Sequence, residues 1–139
     1  MIVVDTNVLA YMVLRGPKVQ EAEILLQVDS DWAAPYLWRS EMRNLLTGYL
    51  RRGECDRETA ESLMEEATLY LRAGEHLVAD PDVFHLVSQS KCTAYDCEFV
   101  ALAQALGTRV ITEDRTLLRE FPRWCQSLEQ AIAPSDPSS

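Results

Sequence analysis

Four acidic side chains stand where a solvated surface charge is not the simplest reading: Asp5, Glu41, Asp96 and Asp114. Asp5 follows the β-branched run Met1 to Val4, and Asp114 follows Arg109 to Thr112, so both leave apolar segments that read as buried strands. Asp96 shares a helical face with Phe99, Val100 and Ala103, and Glu41 stands one turn before Leu45. Taken singly, each carboxylate has a plainer role as a helix cap or as a partner of the helix dipole. Taken together they are unfavourable at short range without a cation, because like charges raise one another's pKa. An oxygen-only ligand set selects a hard ion such as Mg²⁺ or Mn²⁺, which keeps several waters and bridges naturally to phosphate.

Strand and helix signals alternate between these positions. Pro17 precedes a helix with Val19, Ala22, Leu25 and Leu26 at helical spacing, and Asp31 to Ala34 reads as a second strand. After Pro35 comes a helix carrying Leu37, Glu41, Leu45, Leu46, Tyr49 and Leu50, which stops at Gly53. Asp56 caps a further helix that ends near Gly74, and Glu75 to Ala79 reads as a third strand. Asp80-Pro81 starts a helix through Ser90, Thr93 or its neighbours start a longer one that Gly107 ends, and Arg109 to Thr112 is the fourth strand. Leu117 and Leu118 suggest one more short helix. The alternation predicts an α/β fold in one domain over residues 1–133, with a mostly parallel central sheet of four or five strands sandwiched by helices. The tail 134–139 (PSDPSS) is expected to be disordered. Ligands of such sheets bind beyond the carboxyl ends of the strands, where Asp5 and Asp114 fall.

Composition narrows the partners. In 139 residues, 13 Lys and Arg against 22 Asp and Glu give a net charge of −9, which repels a polyanion unless basic residues cluster or metal intervenes. Two basic groups stand out: Arg39, Arg43, Arg51 and Arg52, then Arg109, Arg115, Arg119 and Arg123. The longest apolar runs are far too short to cross a bilayer, and no signal-peptide pattern opens the chain, so a cytoplasmic protein with no membrane partner is expected. Cys55, Cys92, Cys97 and Cys125 form no C-x-x-C pair and read as reduced thiols; His76 and His85 read as structural.

The segments VVDTNVLAYM around Asp5, WRSEMRNLL around Glu41, TAYDCEFVALAQALG around Asp96 and VITEDRTLL around Asp114 resemble, in order and spacing, the four acidic motifs of PIN domains. The likeness covers nearly the whole chain, and the short single-domain form looks most like VapC-type toxins of type II toxin–antitoxin modules. The resemblance implies a metal-dependent endoribonuclease that hydrolyses RNA phosphodiesters with Mg²⁺ or Mn²⁺ and without a covalent enzyme intermediate. It carries the catalytic and metal-ligating roles to Asp5, Glu41, Asp96 and Asp114. Supporting polar roles go to Asn7, Thr93 and Thr112. A small antitoxin protein and a homodimer, formed through the helices around residues 37 to 71, are the implied partners besides RNA. Arg39, Arg43 and Arg115 are candidate contacts to RNA phosphates. Trp38 and Tyr95 are candidate stacking partners for a base, with a core or interface role as the commoner fate.

Side-chain direction turns Glu98 and Glu113 away from the acidic set, toward solvent. An aspartate-based phosphatase would place a second Asp where Asn7 stands, and a receiver domain would need an acidic pair after the first strand and a Lys late in the chain, whereas the lysines are Lys18 and Lys91. Neither a P-loop nor a dinucleotide-binding glycine motif occurs. A non-catalytic PIN-like scaffold that binds RNA or protein is the remaining alternative, and such a scaffold is expected to have lost an acidic ligand.

Overall fold

In the computed structural model, residues 1–134 are described; of the expected disordered tail, residues 135–139 lie outside them. The apolar opening run becomes β1 (Ile2–Val4), whose three residues are all buried, as befits a strand covered on both faces. It is the middle of a five-stranded sheet of order β3-β2-β1-β4-β5. The flanking strands are β2 (Trp32–Pro35), β3 (Glu75–His76), β4 (Val110–Ile111) and β5 (Cys125–Gln126). All four pairings are parallel, with Val3 opposite both Ala33 of β2 and Val110 of β4.

Parallel neighbours need crossovers, and here these are helical. From β1 the chain runs through α1 (Thr6–Leu14) and α2 (Val19–Val28) to β2, then through α3 (Leu37–Arg51) and α4 (Arg57–Tyr70) to β3. These helices bury Leu9, Leu25, Trp38, Met42 and Ala67 against one sheet face, together with Trp32. The chain then reverses direction along the sheet. α5 (Asp80–Ser88), α6 (Ala94–Leu106) and α7 (Arg115–Glu120) therefore cover the other face, as right-handed crossovers require, with Phe99, Val100 and Leu117 in a second core. The short α8 (Leu128–Ile132) returns to the first face, where Leu128 is fully buried.

Two expectations change. The third strand stops at His76 rather than Ala79, since Leu77 is 85% exposed and the chain is already leaving the sheet toward α5. The fifth strand and α8 complete the architecture beyond the segments read from hydrophobic pattern alone. Among the described residues, no helix is long and apolar enough to cross a membrane.

Candidate active site

The order of the strands makes β1 and β4 the pair at which connections diverge, and a crevice opens beyond their carboxyl ends. Asp5 ends β1 and caps α1; Asp114 follows β4 and caps α7. Glu41 comes in from α3 on one helical layer and Asp96 from the first turn of α6 on the other. All four carboxylates, with Thr6, Asn7, Asn44 and Leu45, line a single cavity of about 280 Å³.

Thr112 and Thr6 tie two of the carboxylates, Asp5 and Glu41, to each other and to the backbone of Asp114. Thr112, fully buried, donates its hydroxyl to Asp5 Oδ2 at 2.7 Å and accepts the backbone N–H of Asp114 at 3.0 Å. Thr6 gives its N–H to Asp5 Oδ1 at 2.7 Å and its hydroxyl to Glu41 Oε1 at 2.8 Å. Asp114 Oδ1 accepts the Leu117 N–H at 2.8 Å, so its capping role and its place in the cavity coexist on one carboxylate. Asp96 is held differently. Thr93 caps α6, its hydroxyl accepting the Asp96 N–H at 3.1 Å, and this fixes the helix start from which the carboxylate reaches the cavity. Asn7 is exposed at the rim.

The Asp5, Glu41 and Asp96 carboxyls are all pushed up. Burial pushes the Asp5 carboxyl up, partly offset by its bonds from Thr112 and Thr6, and Asp96 and Asp114 push it further. Burial likewise raises Glu41, with Asp5 and Asp96 adding to the effect, and raises Asp96, with Asp114 adding. Among the described residues, no Lys or Arg lines the cavity to relieve this. The donor set is therefore oxygen-rich, anionic and uncompensated, which fits a hard divalent cation. Among the described residues, no three His, Cys, Asp or Glu side chains close into a finished cage. Mg²⁺ does not need one, since it binds through one or two carboxylates and fills its shell with water and phosphate oxygens.

Several neighbours differ from expectation. Glu98 is half-buried rather than solvent-facing, burial raises its carboxyl, and its charge is felt by Glu41. Glu113 also turns inward and accepts the Leu128 N–H at 3.0 Å, satisfying the start of α8. Trp38 is fully buried and donates to Glu75 Oε1 at 2.7 Å, so it belongs to the core. Arg39 lies over the Trp38 ring and grips the same Glu75, its Nη2 2.9 Å from Oε2, and this fork ties α3 to β3 instead of facing the cavity. Arg43 and Arg115 are exposed and, among the described residues, in no ion pair. The cysteines are free; burial pushes Cys92 up to about 11 and Cys125 up to about 12, so these thiols are unreactive near neutrality. Two cavity residues, Thr6 and Asn44, were not singled out from sequence. Thr6 adjoins Asp5, and Asn44 lies three positions after Glu41 on the same helix face.

Glu75→Gln is expected to lower stability by about 1–2 kcal/mol in urea unfolding, by weakening the fork with Arg39. The Arg39 guanidinium, helped by Trp38, holds the Glu75 carboxyl below its ordinary value of 4.5. This contribution is therefore complete above that value and drains away as pH falls through the lower, folded one. The wild-type advantage should vanish in strongly acid solution.

Residues 2–122 match the PIN domain family. Ribonuclease VapC3 of Pyrobaculum aerophilum is 29% identical over 124 residues, covering 87% of this chain and 95% of that protein. The fold is shared with the crystal structure of PAE2754 from Pyrobaculum aerophilum, at a TM-score of 0.71 and 19% identity over 94% of this chain and 92% of that one. It is shared also with a chain of a toxin–antitoxin complex from Klebsiella pneumoniae, at a TM-score of 0.66 and 16% identity over 92% of this chain and 98% of that one. With a match that runs from the first strand past the last of the four carboxylates, the chain belongs to the PIN domain family.

Proposed function

We propose that the protein is a divalent-metal-dependent endoribonuclease, the toxin of a type II toxin–antitoxin pair acting in the cytoplasm. The observation that carries the reading is the convergence of Asp5, Glu41, Asp96 and Asp114 on one cavity that no basic side chain lines among the described residues. The reading is supported by the likeness to Ribonuclease VapC3 and to a chain of a toxin–antitoxin complex. Asp5 and Asp96 would hold the ion directly, with Glu41 and Asp114 completing the site or holding its waters. Mg²⁺ or Mn²⁺, when bound, supplies activation of water and neutralisation of charge growing on the phosphate.

The chain's own groups do the rest. Thr112 and Thr6 fix the Asp5 carboxylate in one rotamer by opposite hydrogen bonds, and Thr6 carries that constraint to Glu41. Thr93 sets the start of α6 and hence the reach of Asp96. Asn7 and Asn44 offer neutral amides at the cavity wall, where they can meet phosphate or ribose without adding negative charge. A small antitoxin is the protein partner. Its C-terminal segment covers the cavity, and an arginine there pairs with the carboxylates. A homodimer forms through the face of α3 and α4.

The test is incubation of purified protein with total RNA in Mg²⁺, in Mn²⁺ and in chelator, with the new 5′ ends mapped. Cleavage confined to the metal-containing reactions is expected; cleavage that persists in chelator rules the mechanism out. Thr112→Val should reduce cleavage about 10–100-fold, the usual effect of removing a group that orients a metal ligand. It should also cost about 1–3 kcal/mol in unfolding free energy, because the buried Asp5 oxygen loses its donor.

A further inference from the structure

The acidic cavity and a second cavity sit at opposite ends of α7. Asp114, which caps the helix, lines the first; Glu120, its last residue, lines a cavity of about 230 Å³ with Gln89, Phe121, Pro122, Arg123 and Trp124. Six helical residues span about 9 Å, which is two to three nucleotides at roughly 3.4 Å per stacked step. The interval is basic. Arg115 and Arg119 share one face of α7, Arg123 follows in the next turn, and Lys91 lies beside the helix end, where its backbone N–H donates to Glu120 at 3.2 Å. All four cationic side chains are exposed, and among the described residues none lies within salt-bridge distance of a carboxylate. Arg15, Lys18, Arg39 and Arg52 are paired; Arg43, Arg51, Arg57 and Arg72 are, like the α7 set, in no ion pair among the described residues, but they lie on α3, on α4 and just after α4. Arg109, the fourth arginine of the same stretch of sequence, is occupied by Gln126. In a chain of net charge −9, an unpaired positive strip that begins at a phosphate-handling cavity and ends at an aromatic one has the layout of a single-strand groove, with cations along the backbone and a ring for a base.

We infer that α7 and the turn after it bind the unpaired RNA strand beside the cleaved bond: Arg115, Arg119, Arg123 and Lys91 meet its phosphates, and the Gln89–Trp124 cavity receives a base. This rests on the ribonuclease reading, and deepens it by assigning the surface that overcomes the chain's overall negative charge. Trp124 stacks on the base, and the Gln89 amide meets the base edge with a donor and an acceptor. Contact with any one base is therefore sequence-tolerant in stacking and selective only through Gln89.

The molecule provides its own reporter. Trp32 and Trp38 are fully buried, and Trp124 is the partly exposed tryptophan of the three. A fluorescein-labelled, unstructured 12-nucleotide RNA of mixed sequence is titrated in chelator, where cleavage is off. Anisotropy and tryptophan emission are followed at several salt concentrations. Wild type is expected to bind with a log–log salt dependence, and its tryptophan emission should fall in step with binding. Arg119→Ala/Arg123→Ala should weaken binding at least tenfold near 0.1 M salt and flatten the slope by about 1.4, at roughly 0.7 per lost phosphate contact. Arg72→Ala, which removes an exposed cation remote from α7 in sequence, should change neither. Unaltered affinity and slope in the α7 variant overturns the proposal, as does binding with no change in tryptophan emission or no RNA binding at all. A variant that loses its protein antitoxin but keeps RNA overturns it too. The two readings separate cleanly: metal-dependent cleavage with a KM indifferent to the α7 arginines sinks this surface and leaves the nuclease. RNA binding along α7 with no cleavage in any divalent metal sinks the nuclease and leaves this surface.

Discussion

Asp5→Asn is expected to lower RNA cleavage by at least about 10³-fold while the protein stays folded. The substitution keeps the shape and keeps an oxygen for the Thr6 N–H, so the cap of α1 survives. What it removes is the charge at the one carboxylate that both threonines hold in place. It also sets an amide N–H₂ against Thr112, whose oxygen already accepts the Asp114 N–H. A bound ion contributes several kcal/mol to the transition state, and each 1.36 kcal/mol is a factor of ten in rate, which sets the size of the loss. Single-turnover cleavage of a mapped RNA, with circular dichroism to check folding, measures it. A folded variant that retains a tenth of the wild-type rate would remove Asp5 from the metal site.

A second large effect is a reversal in the order of thermal stability. Without metal, Asp96→Asn should melt higher than wild type, because it removes a charge that burial and Asp114 already disfavour. Relief of about 1 kcal/mol corresponds to roughly 4 °C in a domain of this size. With saturating Mg²⁺ or Mn²⁺ the order should invert. An ion at a hundred times its Kd stabilises the folded wild type by about 2.7 kcal/mol, and the variant, short of one charged ligand, gains less. Melts of both proteins in chelator and in excess metal decide the point: equal melting in chelator together with equal shifts in metal would leave Asp96 as a helix-start residue and nothing more.

Three of the four acidic residues were legible because each marks the end of a strand or the start of a helix, positions that apolar patterning and Pro or Gly punctuation reveal. Asp5 after Val4 and Asp114 after Thr112 are readable in this way, as is Asp96 beside Phe99 and Val100. The partners of surface-looking side chains were not legible. Arg39 read as one of a basic group beside Glu41, yet its fork closes on Glu75, 36 positions away, and no local pattern encodes that. Glu113 read as solvent-facing by alternation, but alternation lapses once the two-residue strand β4 ends, and the carboxylate instead meets α8. The last elements were invisible for a related reason. β5 is two residues long, and α8 is five, signalled only by the reciprocal cap between Ser127 and Gln130. Too few residues are involved for either period to register.

The bond from Thr112 to Asp5 joins residues 107 positions apart, and β1 finds its two neighbours in β2 and β4, one early in the chain and one late. On the ribosome this becomes a timing device. At about 5–20 residues per second, roughly 5–20 s pass between the emergence of Asp5 and that of Thr112. During that interval the central strand has only one of its flanks. A nascent chain in this state carries Asp5, Glu41 and Asp96 but lacks the hydroxyl that pins Asp5 and the strand that brings Asp114 to the crevice. The crevice is thus completed late, only once β4 and Thr112 have joined the strand that carries Asp5.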